Sequence, residues 1–361
     1  MIGANSMIKD VDLDGVTKPN GNLWGLPHTP KEAALVIIPV PWEVTVSFRG
    51  GTKDGPDAIL AASPQIDLYD PGYRIRPQPW EHGVALSPLR WPAAKKNAQL
   101  RPLAQSCIAE LEDKRSATNP FWLAKCARIN STSEELVKNL YLESLGWLEQ
   151  DKIVAVLGGD HSTPLGLMKA VADRHKNLGV LHLDAHFDLR NAYEGFKYSH
   201  ASIMRNASES RYAQKFIHVG VRDYCRDEHQ YVKNSNGRHC VYTERNLRRR
   251  LFDGNSWRSI VHNIVFDLPQ DVYVSFDIDG LDPSLCPHTG TPVPGGLQFE
   301  EAMFLIDYVV KSGRRIVGFD LVEVAPASND RLSWEGDWNA NVGMRVLYRL
   351  SCLAIESNRK K

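Results

Sequence analysis

Apolar and polar positions along this chain follow two rhythms. Six segments are nearly continuously apolar and rich in β-branched residues: LVIIPV (35–40), KIVAVLGG (152–159), LGVLHLDA (178–185), KFIHVGV (215–221), VYVSFDID (272–279) and RIVGFDLVEV (315–324). Strands of that kind are covered on both faces. Between them, helical periodicity predicts helices over roughly 132–150, 163–176, 299–312 and 341–356. Strands alternating with helices predict a parallel sheet sandwiched between helical layers. Residues 1–30 are rich in Gly, Pro and Asn and follow neither rhythm. They read as an N-terminal extension, an arm able to pack on a neighbour, ahead of one domain over residues 31–361. Segment 72–130, with several prolines and an aromatic NPFWLAK, has no clear period.

The polar exceptions to the apolar runs carry the chemistry. SFDIDGLDPS (275–284) places Asp277 and Asp279 where a core strand ends. Burying one unpaired carboxylate is costly, and burying two together is worse. Two other strands end in the same way. GGDHS supplies His161, and DAHFD supplies Asp184, His186 and Asp188. Residues two apart on an extended chain share a face, so each cluster can converge. Four carboxylates held together repel one another unless cations lie between them, and two divalent ions balance the charge. A mixed oxygen and nitrogen donor set without thiolate favours Mn²⁺, Ni²⁺, Co²⁺ or Fe²⁺ over structural zinc. Two such ions sit ~3.5–4 Å apart and hold a water as hydroxide near neutral pH. One Asp-x-Asp at a strand end is commonly a turn or cap. His182 and His218, inside apolar strands, read as satisfied core histidines. The metal reading rests on three clusters at three predicted strand ends, where open α/β sheets collect ligands.

Composition narrows the partners. Lys plus Arg number 43 and Asp plus Glu number 43, so no global field draws nucleic acid or an anionic membrane. The basic run RNLRRRL (245–251) reads as a solvated helix face or a subunit contact. Six cysteines without CxxC spacing, in a chain this large, predict reduced thiols and a cytoplasmic home. The N-terminus carries acids and no apolar run, so no signal peptide is expected. No stretch approaches the ~20 apolar residues of a membrane span.

At GGDHS (158–162), LDAHFD (183–188) and SFDIDGLDPS (275–284) the chain resembles the ureohydrolase (arginase/agmatinase) family. GTPVPGGL (290–297), DLVEVAP (320–326) and the early RGGTKDGPDAIL (49–60) match as well, so the resemblance covers roughly 35–355. It implies a three-layer α/β/α sandwich with a mostly parallel sheet of about eight strands. It also implies hydrolysis of a guanidine-type group, with two divalent metals held by His161, Asp184, His186, Asp188, Asp277 and Asp279. By the same resemblance Asp188 orients the attacking hydroxide and Glu323 grips the substrate guanidinium. A planar cation suits a carboxylate, because the charge-assisted pair is short and directional. His200, in KYSHAS, sits where the family keeps a loop histidine that passes a proton to the leaving amine.

Arginases keep an Asn two residues past DAHxD, and this chain has Arg190 there, which argues against L-arginine. KYSHASIM and SWEGDWNANVG (333–343), with the extended N-terminus, look most like the branch of nickel-dependent guanidine hydrolases and metformin hydrolase. The expected substrate is a small guanidine-type cation, with Ni²⁺ or Mn²⁺ as cofactor. Arg190, Trp334 and Trp338 are candidate substrate contacts, the two tryptophans as part of an aromatic–acidic loop closing over the cation. Agmatinase and formiminoglutamate hydrolase are the enzymatic alternatives; Arg190 could face the latter's substrate carboxylates. A mononuclear, deacetylase-like zinc hydrolase would leave half of the carboxylates uncompensated. The family implies a trimer or hexamer. Metformin hydrolase has two kinds of subunit, so the chain could also be a member of a hetero-oligomer, or its supporting subunit.

Overall fold

The computed structural model describes residues 15–72, 77–112 and 119–359. Eight strands form one wholly parallel sheet: β1 (Leu35–Val40), β2 (Val84–Leu86), β3 (Ile153–Gly158), β4 (Leu178–Leu183), β5 (Lys215–Val219), β6 (His239–Tyr242), β7 (Asp271–Asp277) and β8 (Arg315–Val322). Their order across the sheet is β2-β1-β3-β8-β7-β4-β5-β6. All six apolar runs are strands. The two strands not predicted, β2 and β6, are the short edges.

Alternation along the strands divides the core in two. In β3, Ala155 and Leu157 join one apolar cluster while Val154 and Val156 join the other. The first is covered by α1 (Gly55–Ala62), α8 (Trp257–Phe266), α9 (Phe299–Lys311) and α10 (Trp338–Ser357). The second is covered by α2 (Ala93–Glu112), α3 (Pro120–Leu148), α4 (Leu165–Arg174) and α5 (Ile203–Glu209). This is the three-layer sandwich. Two further helices, α6 (Arg226–Lys233) and α7 (Glu244–Phe252), follow β5 and β6. The basic run lies on α7, where Arg248 is paired with Glu244 and Glu301. None of the helices among the described residues is long and apolar enough to cross a membrane.

Part of the N-terminal extension packs on this chain's own body. Trp24 is buried edge-on against Tyr348 at 5.2 Å. The Asn22 side chain donates to the Val84 carbonyl and accepts from the Leu86 N–H, which covers part of the open β2 edge. The arm's residues 1–14 lie outside the described residues.

The crossover that positions the site is at the centre of the sheet. The last strand of the sequence, β8, inserts between β3 and β7, so β3, β8, β7 and β4 are consecutive neighbours. The C-terminal ends of these four strands carry His161, Glu323, Asp277 with Asp279, and Asp184 with His186 and Asp188, respectively.

Candidate metal centre

His161 is buried just past the β3 turn, and three carboxylate oxygens surround its Nδ1. Asp184 Oδ2 and Asp188 Oδ2 lie at 3.0 Å and Asp277 Oδ2 at 3.2 Å. Yet Nδ1 makes no hydrogen bond of proper geometry. Its tautomer explains why. Ser275 Oγ lies within 3.0 Å of both Asp320 oxygens and donates to that carboxylate, so it accepts from His161 Nε2 at 2.9 Å. Tyr273 secures Asp320 from the other side at 2.8 Å. The Nδ1 lone pair is thereby turned toward three acceptor-only carboxylates, and what fits among four acceptors is a cation. A second convergence adjoins the first: His186 Nδ1 lies 3.4 Å from Asp184 Oδ1 and 3.2 Å from Asp279 Oδ2. Asp184 belongs to both convergences, and the donor set fits a pair of divalent ions.

Local backbone geometry sets these side chains. Asp277 ends β7 and accepts the Asp279 N–H at 2.8 Å, closing a 3-10 turn (Ile278–Gly280) that aims Asp279 back at the site. Asp188 and Glu323 have φ of +53° and +63°, the left-handed region that non-glycine residues rarely adopt. Strain of this kind persists where surrounding contacts over-determine it. For Asp188 they include the next amide, Leu189 N–H, which donates to buried Glu228 at 3.0 Å. For Glu323 they are its own N–H to the Gly159 carbonyl at 2.8 Å and the His161 N–H to Glu323 Oε1 at 2.9 Å.

Above the cluster opens a cleft of about 160 Å³, lined among others by His186, Asp188, Arg190, His200, Asp223 and Thr291. Arg190 and His200 therefore line the same cleft as His186 and Asp188. The Arg190 guanidinium stacks 4.6 Å from the Tyr193 ring centroid. The two tryptophans do not line this cleft. Trp334 is buried in the first core cluster, its indole N–H donating to the Ser328 carbonyl and Arg331 lying over its ring. Trp338 is half-exposed, with its indole N–H on the Ser284 carbonyl. The expected aromatic lid is thus corrected: apolar packing claims Trp334, and a loop carbonyl holds Trp338.

Several residues of the site escaped the sequence reading. Arg222, just after β5, donates to the carbonyls of Asp279, Leu281 and Val293 and ties the strand-end loops together. Asp223 lies on the cleft rim. Ser275 was legible in principle, because it sits two residues before Asp277 on the same face.

With metal chelated away, the cluster is expected to take up protons. Burial, with Asp184 beside it, pushes Asp188 up to about 7. Burial, with Asp279 and Asp184, holds Asp277 well above the usual carboxylate range. Burial opposes charge on His161 and His186, but the carboxylates outweigh it and hold both well above an ordinary imidazole. Raised acids make the folded chain bind more protons than the unfolded one from pH 3.8 upward, and raised histidines do so above 6.5. Both contributions carry the same sign: stability falls as pH rises through the folded pKa values. Asp184, where burial is outweighed by His182, His161 and His186, is depressed and acts only below 3.8. Loading metal should therefore raise the melting temperature of chelator-treated protein by more at pH 8 than at pH 5.5, the comparison in which distant histidines cancel. A rise no greater at pH 8 would show that the cluster takes up no protons.

Residues 33–351 match the family model described as the Arginase family. The N(1)-aminopropylagmatine ureohydrolase of Synechocystis sp. is 27% identical over 91% of this chain and 92% of its own length. The agmatinase of Bacillus cereus is 28% identical over 82% of this chain and 85% of its own. Among solved structures, proclavaminate amidino hydrolase from Streptomyces clavuligerus superposes with a TM-score of 0.70 at 22% identity, covering 96% of this chain and 100% of the other. The chain belongs to the arginase family of ureohydrolases, metal-dependent enzymes that hydrolyse C–N bonds of linear amidines.

Proposed function

We propose that the chain hydrolyses a C–N bond of a small guanidine-type cation: guanidine itself, or an N-substituted guanidine or biguanide such as metformin. Urea or a guanylurea-like product leaves with an amine or ammonia. His161, Asp184, His186, Asp188, Asp277 and Asp279 would hold two Ni²⁺ or Mn²⁺ ions. When bound, these supply an activated water and positive charge for the developing tetrahedral centre.

The chain's own groups do the rest. Glu323 orients the guanidinium. Its Oε1 is occupied by the His161 N–H, and its Oε2 lies beside Gly290, where an added Cβ would approach to 3.1 Å. Burial and Asp160 hold Glu323 well above the usual carboxylate range, so a bound cation ionises it and gains a charge-assisted pair. Asp188 accepts a hydrogen bond from the attacking water. His200 lines the cleft, where burial and then the charges of His186 and His161 lower it to about 3; as metal ligands those two histidines would be neutral and that part of the lowering would lapse. His200 relays a proton from solvent to the departing nitrogen.

Arg190 carries the choice of a small substrate. Its guanidinium lines the cleft, so a substrate with a second ammonium meets a like charge there, and one with a single charge at Glu323 does not. A panel of guanidine, methylguanidine, metformin, agmatine, arginine and formiminoglutamate, read by urea and ammonia release after Mn²⁺ or Ni²⁺ loading, tests this. The small guanidines should exceed agmatine in kcat/KM by roughly tenfold or more, the ~1.4 kcal/mol expected of one screened like-charge contact. Agmatine as the best substrate would overturn the reading.

Agmatinase is the second reading, supported by the names of the relatives and by Asp223 at the rim. Asp223 also borders an adjoining cavity of about 520 Å³ with room for a longer cationic tail. The six free thiols suit a cytoplasmic enzyme. We place the working form as a homo-oligomer, trimer or hexamer, with pairing to a related subunit as the alternative.

A further inference from the structure

A row of polar side chains crosses the sheet one level below the site. Backbone register aligns His218 of β5 with His182 of β4, His182 with Ser275 of β7, and Ser275 with Asp320 of β8. The Ser275–Asp320 end supports His161, as described above. The other end is a continuous chain. His182 Nε2 lies 2.8 Å from Asp184 Oδ2. His182 Nδ1 lies 2.9 Å from His218 Nδ1, and His218 Nε2 lies 2.9 Å from His239 Nδ1. His239 Nε2 lies 2.9 Å from Ser208 Oγ on α5, which lies 2.9 Å from the Tyr231 hydroxyl on α6. His182 and His218 are fully buried, and His239 and Ser208 nearly so.

We propose that His182, His218 and His239 form a hydrogen-bonded strut that fixes the Asp184 carboxylate for metal binding and anchors it to the edge of the sheet. The inference rests on the reading that the cluster holds metal. Its direction follows from chemistry alone. An ionised Asp184 only accepts, so His182 Nε2 carries a proton. A neutral His182 then accepts at Nδ1, so His218 must donate from its Nδ1. His218 accepts at Nε2, so His239 donates from Nδ1 and accepts the Ser208 hydroxyl at Nε2. Each ring carries one proton, and reversing any one would set two donors or two acceptors face to face. Burial lowers His218 and His239, with Arg238 adding to it at His239, and favours their neutral forms. The strut thus adds direction to the site without adding charge.

Asp184 is the residue common to both convergences, and both of its oxygens are tied. Oδ1 accepts the His186 N–H at 2.5 Å and Oδ2 faces His182. Partners of metal ligands commonly contribute 10–100-fold in metal affinity. A histidine that merely fills the core contributes none.

The test uses the full chain. Mn²⁺ affinity is measured by competition with a chelating indicator, alongside the melting temperature of chelator-treated protein, for the parent, His218→Phe, His239→Phe and Ser208→Ala. The phenylalanine at 239 can keep the stack on Phe216, whose centroid is 4.7 Å away, and loses only the hydrogen bonds. Mn²⁺ affinity should fall by roughly tenfold in His239→Phe and toward a hundredfold in His218→Phe. Histidine ¹⁵N resonances of the loaded parent give a second readout. His182 should be the Nε2–H tautomer, and His218 and His239 the Nδ1–H tautomers, with the His239 signal moving in Ser208→Ala. Opposite tautomers, or affinities within twofold of the parent while melting temperatures fall, would reduce the three histidines to core packing. A parent that takes up no Mn²⁺ would instead remove the metal reading itself.

Discussion

Asp277→Ala should lose both its metal and its turnover, with kcat/KM down by at least roughly 10³-fold, the equivalent of several kcal/mol of electrostatic stabilisation. The residue does two jobs. Its Oδ2 faces His161 Nδ1 at 3.2 Å, and its Oδ1 accepts the Asp279 N–H at 2.8 Å. Alanine removes a donor atom and also releases the turn that aims Asp279. Asp277→Asn separates the two, because the amide oxygen can keep the turn while the charge is gone. The asparagine variant should fold normally, hold less than the parent's complement of metal, and be nearly as inactive as the alanine. Its chelator-treated form should be at least as stable as the chelated parent at pH 8, since a buried acid repelled by Asp279 and Asp184 has been neutralised. Metal analysis, a melting curve and a urea assay on the two variants decide the matter. Full metal content and activity in either one would remove Asp277 from the site.

What was legible in the sequence follows from burial on two faces. The strands carrying the site, β3, β4, β7 and β8, are central, and their unbroken apolar runs can be read without knowing the fold. The edges β2 and β6 are three and four residues long and half covered, so no run marks them. The long helix α2 carries Pro102 in its interior, which reads in sequence as a break. NPFWLAK proved to be the start of α3, with Trp122 buried and Phe121 exposed side by side. The residues of the candidate metal centre were legible because carboxylates at apolar strand ends demand an explanation. Asp320 and His218 were not, because they meet Ser275 and His182 only through register across separate strands. His182 and His218 were read as satisfied core residues, and each is hydrogen-bonded at both ring nitrogens. What single-strand reading could not reveal is that the bonds form one line ending on Asp184. Trp334 misled for a different reason: an aromatic among acids in a loop has the same pattern whether the ring faces inward or out.

Glu323→Gln should leave the metals in place and still cost the enzyme most of its activity. The glutamine oxygen can keep the His161 N–H, so the backbone that carries His161 stays put. What disappears is the negative charge facing the substrate. Removing one partner of a buried charge pair costs about 2–5 kcal/mol, which corresponds to a fall in kcat/KM of roughly 30- to 4000-fold. Much of that fall should appear as a raised KM, because the charge acts on the bound cation as well as on the transition state. Without substrate the carboxylate is a burden, since burial and Asp160 raise its pKa well above the ordinary value. A raised acid subtracts stability above the pKa of its unfolded form, so the amide should raise the melting temperature of the chelator-treated, substrate-free enzyme at pH 8. The two effects have opposite signs and a common origin, which distinguishes this residue from one that holds metal. A variant that lost its metal would make Glu323 a ligand, and one that kept full activity would mean that the guanidinium is gripped elsewhere. The combination expected here, retained metal, a more stable chelated form and weak substrate binding, requires that a carboxylate be held buried at a left-handed backbone position, free of metal and ready for the substrate cation.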